Sequence, residues 1–341
     1  MDFELSSENN ELSGLARDIV AGHGASDGGT YDEKLWHELG KAGVLAAALP
    51  ESVGGSGLGF LEQCGVLIEL GRALAPAPYL PSIVLGAAAI ATFGTPAQQQ
   101  RWAAPAARGD IVLTAAFPDG APVLAAPWAD AVLMPVGGSV YIVDTGEPGV
   151  TVEPQELTNG VTAGRVVLDA PFLAALQQDA DRRLGGGNVV MEWLLARGTV
   201  ALCALQLGVT GRALELTAEY ATQRVQFSRP IGAFQAVSQR LADAWIDVEA
   251  IRLTMWQAAW MLTEGMSPDL TGTDLAISTA KYWAADAGHR IAHTAVHVHG
   301  GVGIDVSHPV HRYFAAAKTN EFTLGHATTQ LRRIGAELAR S

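Results

Sequence analysis

Positive charge is scarce in this 341-residue chain: 22 Lys and Arg stand against 35 Asp and Glu, a formal net charge of −13. That balance excludes a nucleic-acid partner, because gripping a phosphate backbone needs a basic face. It also gives no attraction to an anionic membrane. Any phosphate-bearing ligand must be met by a local arginine or by backbone N–H donors. Cysteine is nearly missing. Cys64 and Cys203 each lie in an apolar stretch, the pattern of buried thiols in a reducing, cytoplasmic compartment and not of a disulfide framework. A secretory opening is lacking too, since Met1, Asp2, Phe3 and Glu4 lead into polar residues. The longest apolar runs, 84–93 and 200–209, are shorter than a bilayer-spanning helix needs. Gly301-Val302-Gly303 is not followed by a third glycine at the required place, so a Rossmann fingerprint is excluded.

What is present is ample apolar material: 49% hydrophobic and only 17% charged residues, the composition of a folded chain of two or three structural units. The first third reads as helices. Ser6 or Ser7 is placed to cap one that runs through Ile19 and Val20, and Asp32 to cap another around Leu35, Trp36 and Leu39. A loop with Gly54, Gly55 and Gly57 then leads into a helix over about 60–74. Ordinary turn geometry accounts for such glycines as well as ligand contact does. From 111 to 170 the character changes to short β-type runs (131–135, 140–143, 150–152, 165–168) punctuated by Gly, Pro and Asp. Apolar residues at three-and-four spacing return over 189–220, 234–262, 274–299, 310–318 and 327–339, with Gly208 and Gly211 placed for close helix contact. Long helices with short links predict a four-helix bundle. The expected fold is mostly α with a small central β-domain: an N-terminal helical domain (1–110), a shortened β-domain (111–175) and a C-terminal bundle (176–341).

One segment stands out: Arg224-Val225-Gln226-Phe227-Ser228-Arg229-Pro230-Ile231-Gly232-Ala233-Phe234-Gln235, continuing into Leu241, Ala242 and Asp243. It resembles the Arg-x-Gln-Phe-Gly-x-Pro-Ile-x-x-Phe-Gln segment of the acyl-CoA dehydrogenase family, with Ser228 where the family has Gly. A second stretch, around His297, Gly300, Gly301 and Gly303, resembles the family's Gln-x-x-Gly-Gly-x-Gly, with His297 in place of Gln. The loop from Pro50 and Glu51 to Gly57 resembles part of the family's N-terminal domain. This resemblance implies FAD as cofactor, an oligomer, and an ADP half-site across a subunit interface formed by Arg224, Gln226, Phe227, Gln235, His297, Gly300 and Gly301. The residues themselves predict no metal: His293, His297 and His299 lack an Asp, Glu or Cys cluster to complete a site.

Two family features are missing. The Thr-Glu-Pro-x-x-Gly-Ser-Asp loop is replaced by Leu113-Thr114-Ala115-Ala116-Phe117-Pro118-Asp119-Gly120, and no Lys occurs in 111–170 to supply the Lys-x-Trp-Ile-Thr strand beside the flavin ring. Dehydrogenation also needs a carboxylate that removes the α-proton while the flavin takes the β-hydride. Aligned through Ala317, Lys318 and Gly325, the family's base position holds Leu324; the alternative position on the first long helix holds Gly198. The nearest carboxylates are Glu321 and Glu192, residue types that usually lie solvated at the surface.

Together these features resemble the shortened, non-catalytic subunit of heterotetrameric actinobacterial acyl-CoA dehydrogenases, some acting on steroid side-chain thioesters. The implied partners are a longer paralogue in an α2β2 assembly, an acyl-CoA substrate and an electron-transfer flavoprotein as acceptor. Three other readings stay open: a self-sufficient homo-oligomeric flavin dehydrogenase with Glu321 as a relocated base, a flavin-free structural pseudoenzyme, and a flavin-dependent oxygenase, against which the missing ring pocket speaks.

Overall fold

The computed structural model describes residues 5–23, 31–118, 120–263 and 270–340. The acidic opening (Met1, Asp2, Phe3, Glu4) and Asp119 of the replaced loop lie outside the described residues. The chain divides into two compact units, Met1–Val66 with Pro76–Gly198, and Leu67–Ala75 with Thr199–Ser341. Of the three points of division, two fall inside helices and the third, between Ala75 and Pro76, follows a helix end.

The first unit opens with α1 (Ser7–His23) and α2 (Glu33–Lys41). Ser6 is the cap of α1, its Oγ accepting from the Asn9 N–H at 3.0 Å. Asp32 caps α2 by accepting from the N–H groups of Lys34 and Leu35, and Leu35, Trp36 and Leu39 turn into the core. The glycine loop that follows is structural. A Cβ on Gly55 would stand 1.9 Å from the Leu49 carbonyl oxygen, and Gly54 and Gly57 hold φ of 85° and 73°, which only glycine adopts without strain. Helix α3 (Phe60–Ala73) comes next. A π-wound stretch (Leu80–Ala87) runs into α4 (Ala88–Phe93), and α5 (Pro96–Gln98) passes through a second such stretch (Gln99–Ala103) into α6 (Ala104–Arg108).

The β-region of this unit has two three-stranded sheets. In one, β1 (Leu113–Ala115) pairs parallel with β3 (Ala131–Val136), which pairs antiparallel with β4 (Ser139–Asp144). In the other, β2 (Val123–Leu124), β6 (Thr162–Leu168) and β5 (Val150–Glu156) are antiparallel. The β3–β4 link is the two-residue turn Gly137–Gly138, both at positive φ, the geometry that matches strand twist in a tight hairpin. Ala116, Val123, Ala126 and Val132 pack together with Met134, Val152 and Val166 to form the core between the sheets. Helix α7 (Ala170–Leu176), capped by Asp169, closes the region.

Helix α8 (Asn188–Gln223) enters the second unit at Thr199. It is longer and more apolar than the sequence runs suggested. By length and composition it passes the test for a membrane span, yet 72% of its most apolar window is buried inside the protein, which makes it a core helix. A hairpin of β7 (Val225–Gln226) and β8 (Arg229–Pro230) separates it from α9 (Gln235–Thr263). Then follow α10 (Leu270–His299), α11 (Val310–Phe322) and α12 (Ala327–Leu338). Helix α10 packs against α9, α11 and α12. The core at its far end is rich in alanine: Ala213, Ala292, Ala295, Ala316 and Ala317 with Val209, Val310 and Tyr313. A Cβ on Gly208 would stand 2.0 Å from the Ile68 carbonyl oxygen, whereas one on Gly211 would meet only Arg72 Nη1 at 3.7 Å. Close helix contact therefore demands glycine at 208 and not at 211.

Candidate functional site

Helix α8 ends where the chain must reverse into α9, and it does so through the tightest available hairpin. Phe227 and Ser228 fill its two-residue turn at φ of 51° and 63°, a left-handed pair that favours Asn or Gly. The turn is held by Ile231 N–H donating to the Arg224 carbonyl at 2.8 Å. Arg229 stacks its guanidinium over Phe234, 4.1 Å from the ring centroid, and Phe227 meets the edge of that ring at 6.1 Å. These contacts shape the loop without covering it.

The side chains singled out in this segment point outward. Phe227 is 88% exposed, and Arg224, Gln226 and Gln235 are exposed as well. The Gln226 amide donates only to the adjacent Val225 carbonyl, and Arg224 makes no side-chain hydrogen bond or ion pair among the described residues. An aromatic ring that exposed stays out of water only when something is laid on it.

Beyond the end of α10, a 3₁₀ turn (Gly300–Ile304) carries the second group. His297 is exposed. Gly300 sits at φ 62°, and a Cβ at either Gly300 or Gly301 would meet nothing within 4 Å, so a ligand can approach the backbone there. The two groups issue from the same end of this unit, because Tyr220 of α8 stacks on His299 of α10 with ring centroids 4.3 Å apart. Burial is the main reason that the pKa of His299 lies below the ordinary histidine value; the nearby His308 lowers it further, against the Ala295 carbonyl that Nδ1 contacts at 2.8 Å. Tyr220 and His299 are the supports that sequence reasoning did not single out for this site. Their signal was present, since Tyr220 lies one helical turn before Arg224.

An unpaired guanidinium, an exposed ring, two exposed side-chain amides and an open diglycine backbone suit the ADP half of a dinucleotide. The guanidinium matches pyrophosphate oxygens, and the ring face suits a base.

The positions compared with the family's base behave differently. Leu324 holds φ 58° and Gly325 φ 97° in the turn after α11, so the turn is sharp but its side chain is hydrocarbon. Gly198 is buried within α8. The Glu321 carboxylate turns inward, 2.5 Å from Lys318 Nζ and 3.1 Å from His289 Nδ1. Beneath it, the fully buried Lys281 donates to the Asn320 and Glu321 carbonyls at 2.8 and 3.2 Å. Burial holds the pKa of Lys281 down to about 8. Glu192 is exposed, beside a cavity of about 390 Å³ lined by Pro118, Val136 and Gly138 among others.

Comparison with known proteins gives a consistent picture. Residues 10–110 match the acyl-CoA dehydrogenase N-terminal domain, and residues 185–339 the acyl-CoA dehydrogenase C-terminal domain. Acyl-CoA dehydrogenase FadE27 of Mycobacterium tuberculosis is 48% identical over 338 residues, covering 91% of this chain and 89% of that protein. Among solved structures, the ChsE4–ChsE5 complex from Mycobacterium tuberculosis matches with a TM-score of 0.91 and 44% identity over all of both chains. A variant of the Tcur3481–Tcur3483 steroid ACAD matches at 0.86 and 36%, covering 98% of each chain.

Proposed function

This chain belongs to the acyl-CoA dehydrogenase family, whose cofactor is FAD, and from that premise we propose that it is the non-catalytic subunit of a two-chain enzyme. In this reading a longer paralogue supplies the base and the flavin-ring pocket, in an α2β2 assembly. This chain supplies the grip on the ADP half of the FAD. The reaction introduces an α,β-double bond into an acyl-CoA thioester, with a steroid side chain as the acyl group. The site is cytoplasmic, and an electron-transfer flavoprotein takes the electrons.

The carrying observation is the contrast between a ligand-facing hairpin left unpartnered and base positions occupied by Leu324 and Gly198. FAD, when bound, accepts the β-hydride; the chemistry of this chain is restricted to holding and orienting. Arg224 would pair with the pyrophosphate, Phe227 would cover an apolar face of the nucleotide, and Gly300 and Gly301 would let backbone approach it. Neither Leu324 nor Gly198 can take a proton. Glu321, already engaged by Lys318 and His289, is not free to replace them.

Support for a partner comes from α9. Ile246, Leu253 and Trp260 recur every seven residues and are 59%, 45% and 40% exposed, with Trp245 beside them at 60%. Sevenfold spacing puts them on one helix face, and an apolar stripe of that size marks an interaction surface. The steroid assignment draws on the Tcur3481–Tcur3483 steroid ACAD, and the two-chain assembly on the ChsE4–ChsE5 complex.

The test is to purify the chain alone and after co-expression with a longer paralogue, recording the visible spectrum and stoichiometry of each. Flavin retained only by a two-chain complex is the expected result. A yellow, active homo-oligomer of this chain alone overturns the proposal and returns attention to Glu321.

A further inference from the structure

Within the first unit, Arg197 on α8 has an unusual setting. Its guanidinium lies 4.7 Å from the centroid of the Phe60 ring and 4.5 Å from that of Trp193. Both walls are built. Phe60 is 2% exposed at the start of α3, and Trp193, one turn before Arg197, is braced edge-on by Phe93 with centroids 5.6 Å apart. Among the described residues no carboxylate pairs with Arg197, and its N–H groups have no acceptor. Burial lowers its pKa to about 10, with only Cys64 acting in the other direction. At neutral pH it is still a cation.

The same unit holds a second donor without a partner among the described residues. Tyr79 is 0% exposed, and its hydroxyl has no hydrogen bond. Burial raises its pKa, so it stays protonated, and Cys64 lies within electrostatic range of both it and Arg197. A buried cation is normally paired, because desolvation costs more than aromatic faces alone return. Arg197 is largely but not fully covered, and five N–H donors without an acceptor among the described residues suit an anion.

We propose that Arg197, between Phe60 and Trp193, binds the carboxylate of a small-molecule ligand, and that the ligand class is an acyl thioester whose acyl chain carries a free carboxyl group. The rings cover the guanidinium and leave its edge, where the N–H groups point. A planar carboxylate meets that edge by two parallel hydrogen bonds. Entry is from the side of Arg197 and Trp193, which are both partly exposed, while Phe60 and Tyr79 are buried. The thioester part of the ligand class rests on the function proposed above; the carboxylate site does not.

The test is calorimetric titration of the full chain, alone and in its two-chain complex, with glutaryl-CoA and pentanoyl-CoA, which differ by one carboxylate. Glutarate alone is titrated in parallel. Glutaryl-CoA should bind at least about tenfold more tightly, the range of one charge-assisted hydrogen-bonded pair. Arg197→Gln should erase that preference while leaving pentanoyl-CoA binding unchanged, and Arg197→Lys should keep part of it. If Arg197→Gln fails to fold, Phe60→Leu, which strips one wall, should reduce the preference. A purely structural Arg197 would change the melting temperature and leave the ratio untouched. Equal affinities, or no response to any of the three probes that depends on Arg197, overturn the proposal. So does an Arg197→Gln variant that splits the two-chain complex with the preference intact, because the counter-ion is then a partner carboxylate. Neither flavin content nor turnover enters the readout, so failure of the subunit reading leaves this result standing.

Discussion

Two sharp turns in the second unit face similar backbone demands and meet them in opposite ways. The hairpin after α8 places Phe227 and Ser228 at positive φ, and the turn after α11 does the same to Leu324. In the first, the polar and aromatic groups point outward and, among the described residues, meet only one another and the local backbone. In the second they fold inward: Glu321 onto Lys318 and His289, Lys281 onto two carbonyls, and the Gln330 amide towards the carbonyls of Leu324 and Gly325. Strain of this kind persists only where surroundings over-determine it. The α11 turn is held by its own polar network, so its rigidity is a property of the fold. The hairpin is held by backbone and ring contacts alone, and its side chains remain available for a ligand.

The largest predicted effect is on the inward network. Lys281→Ala leaves a cavity and two buried carbonyls without donors, and should cost roughly 3 kcal/mol of stability. Its pH dependence carries a definite sign. The folded-state pKa of Lys281 is about 8, below its ordinary 10.5. Below pH 8 both states hold the proton, and the burial penalty is present in full. Between pH 8 and 10.5 the unfolded chain keeps a proton that the folded one has released, so stability rises there, by up to about 3 kcal/mol. Cys203, pushed up to about 12 by burial, keeps its proton in the folded state there while the unfolded thiol releases it, which lowers the stability of wild type and variant alike and cancels in the difference between them. Urea unfolding at pH 7.5 and pH 10 should therefore show the gap between wild type and Lys281→Ala widening as pH rises. A constant gap would mean that Lys281 is not held low. For the outward turn, Arg224→Ala should weaken flavin retention by the two-chain complex at least about tenfold. The melting temperature of the chain alone should hardly move; a large drop would mean that the hairpin is self-supporting after all.

Legibility in the sequence follows the same division. The long helices of the second unit were legible because their apolar residues recur every three to four positions; α9 and α12 end within a residue or so of the expected limits. The π-wound stretch before α4 was not, since Leu80–Ala87 is buried all round and carries no periodicity. Strand β1 was missed because it has three residues and owes its existence to parallel pairing with β3, eighteen positions on. At the sites, glycines and the arginine-led segment were visible as text. The inward turn of Glu321 was not, because its partner His289 lies 32 residues away on another helix. Arg197 and Trp193 stand at helical i,i+4 spacing and could have been paired on sight, but Phe60 comes to them only through tertiary packing.

Smaller effects refine the contrast. Glu321→Gln removes one carboxylate from a contact with Lys318 and His289 that is partly open to solvent, and should cost about 1 kcal/mol. Turnover of the two-chain complex should be unchanged within twofold. A loss of a hundredfold or more would make Glu321 the base and end the comparison as drawn.

The finest test exchanges the strained residues themselves. Ser228→Gly relieves a left-handed serine, worth about 1 kcal/mol, but glycine's greater freedom in the unfolded chain returns about half of it. A gain of a few tenths of a kcal/mol should remain, because the exposed Ser228 side chain has no packing to lose. Leu324→Gly relieves the same kind of strain at φ 58°, yet removes a side chain that is partly buried, and that loss exceeds the relief. The two substitutions should therefore move the melting temperature in opposite directions. Movement in the same direction would mean that strain alone governs both turns, and that the packing around Leu324 contributes little to holding its turn inward.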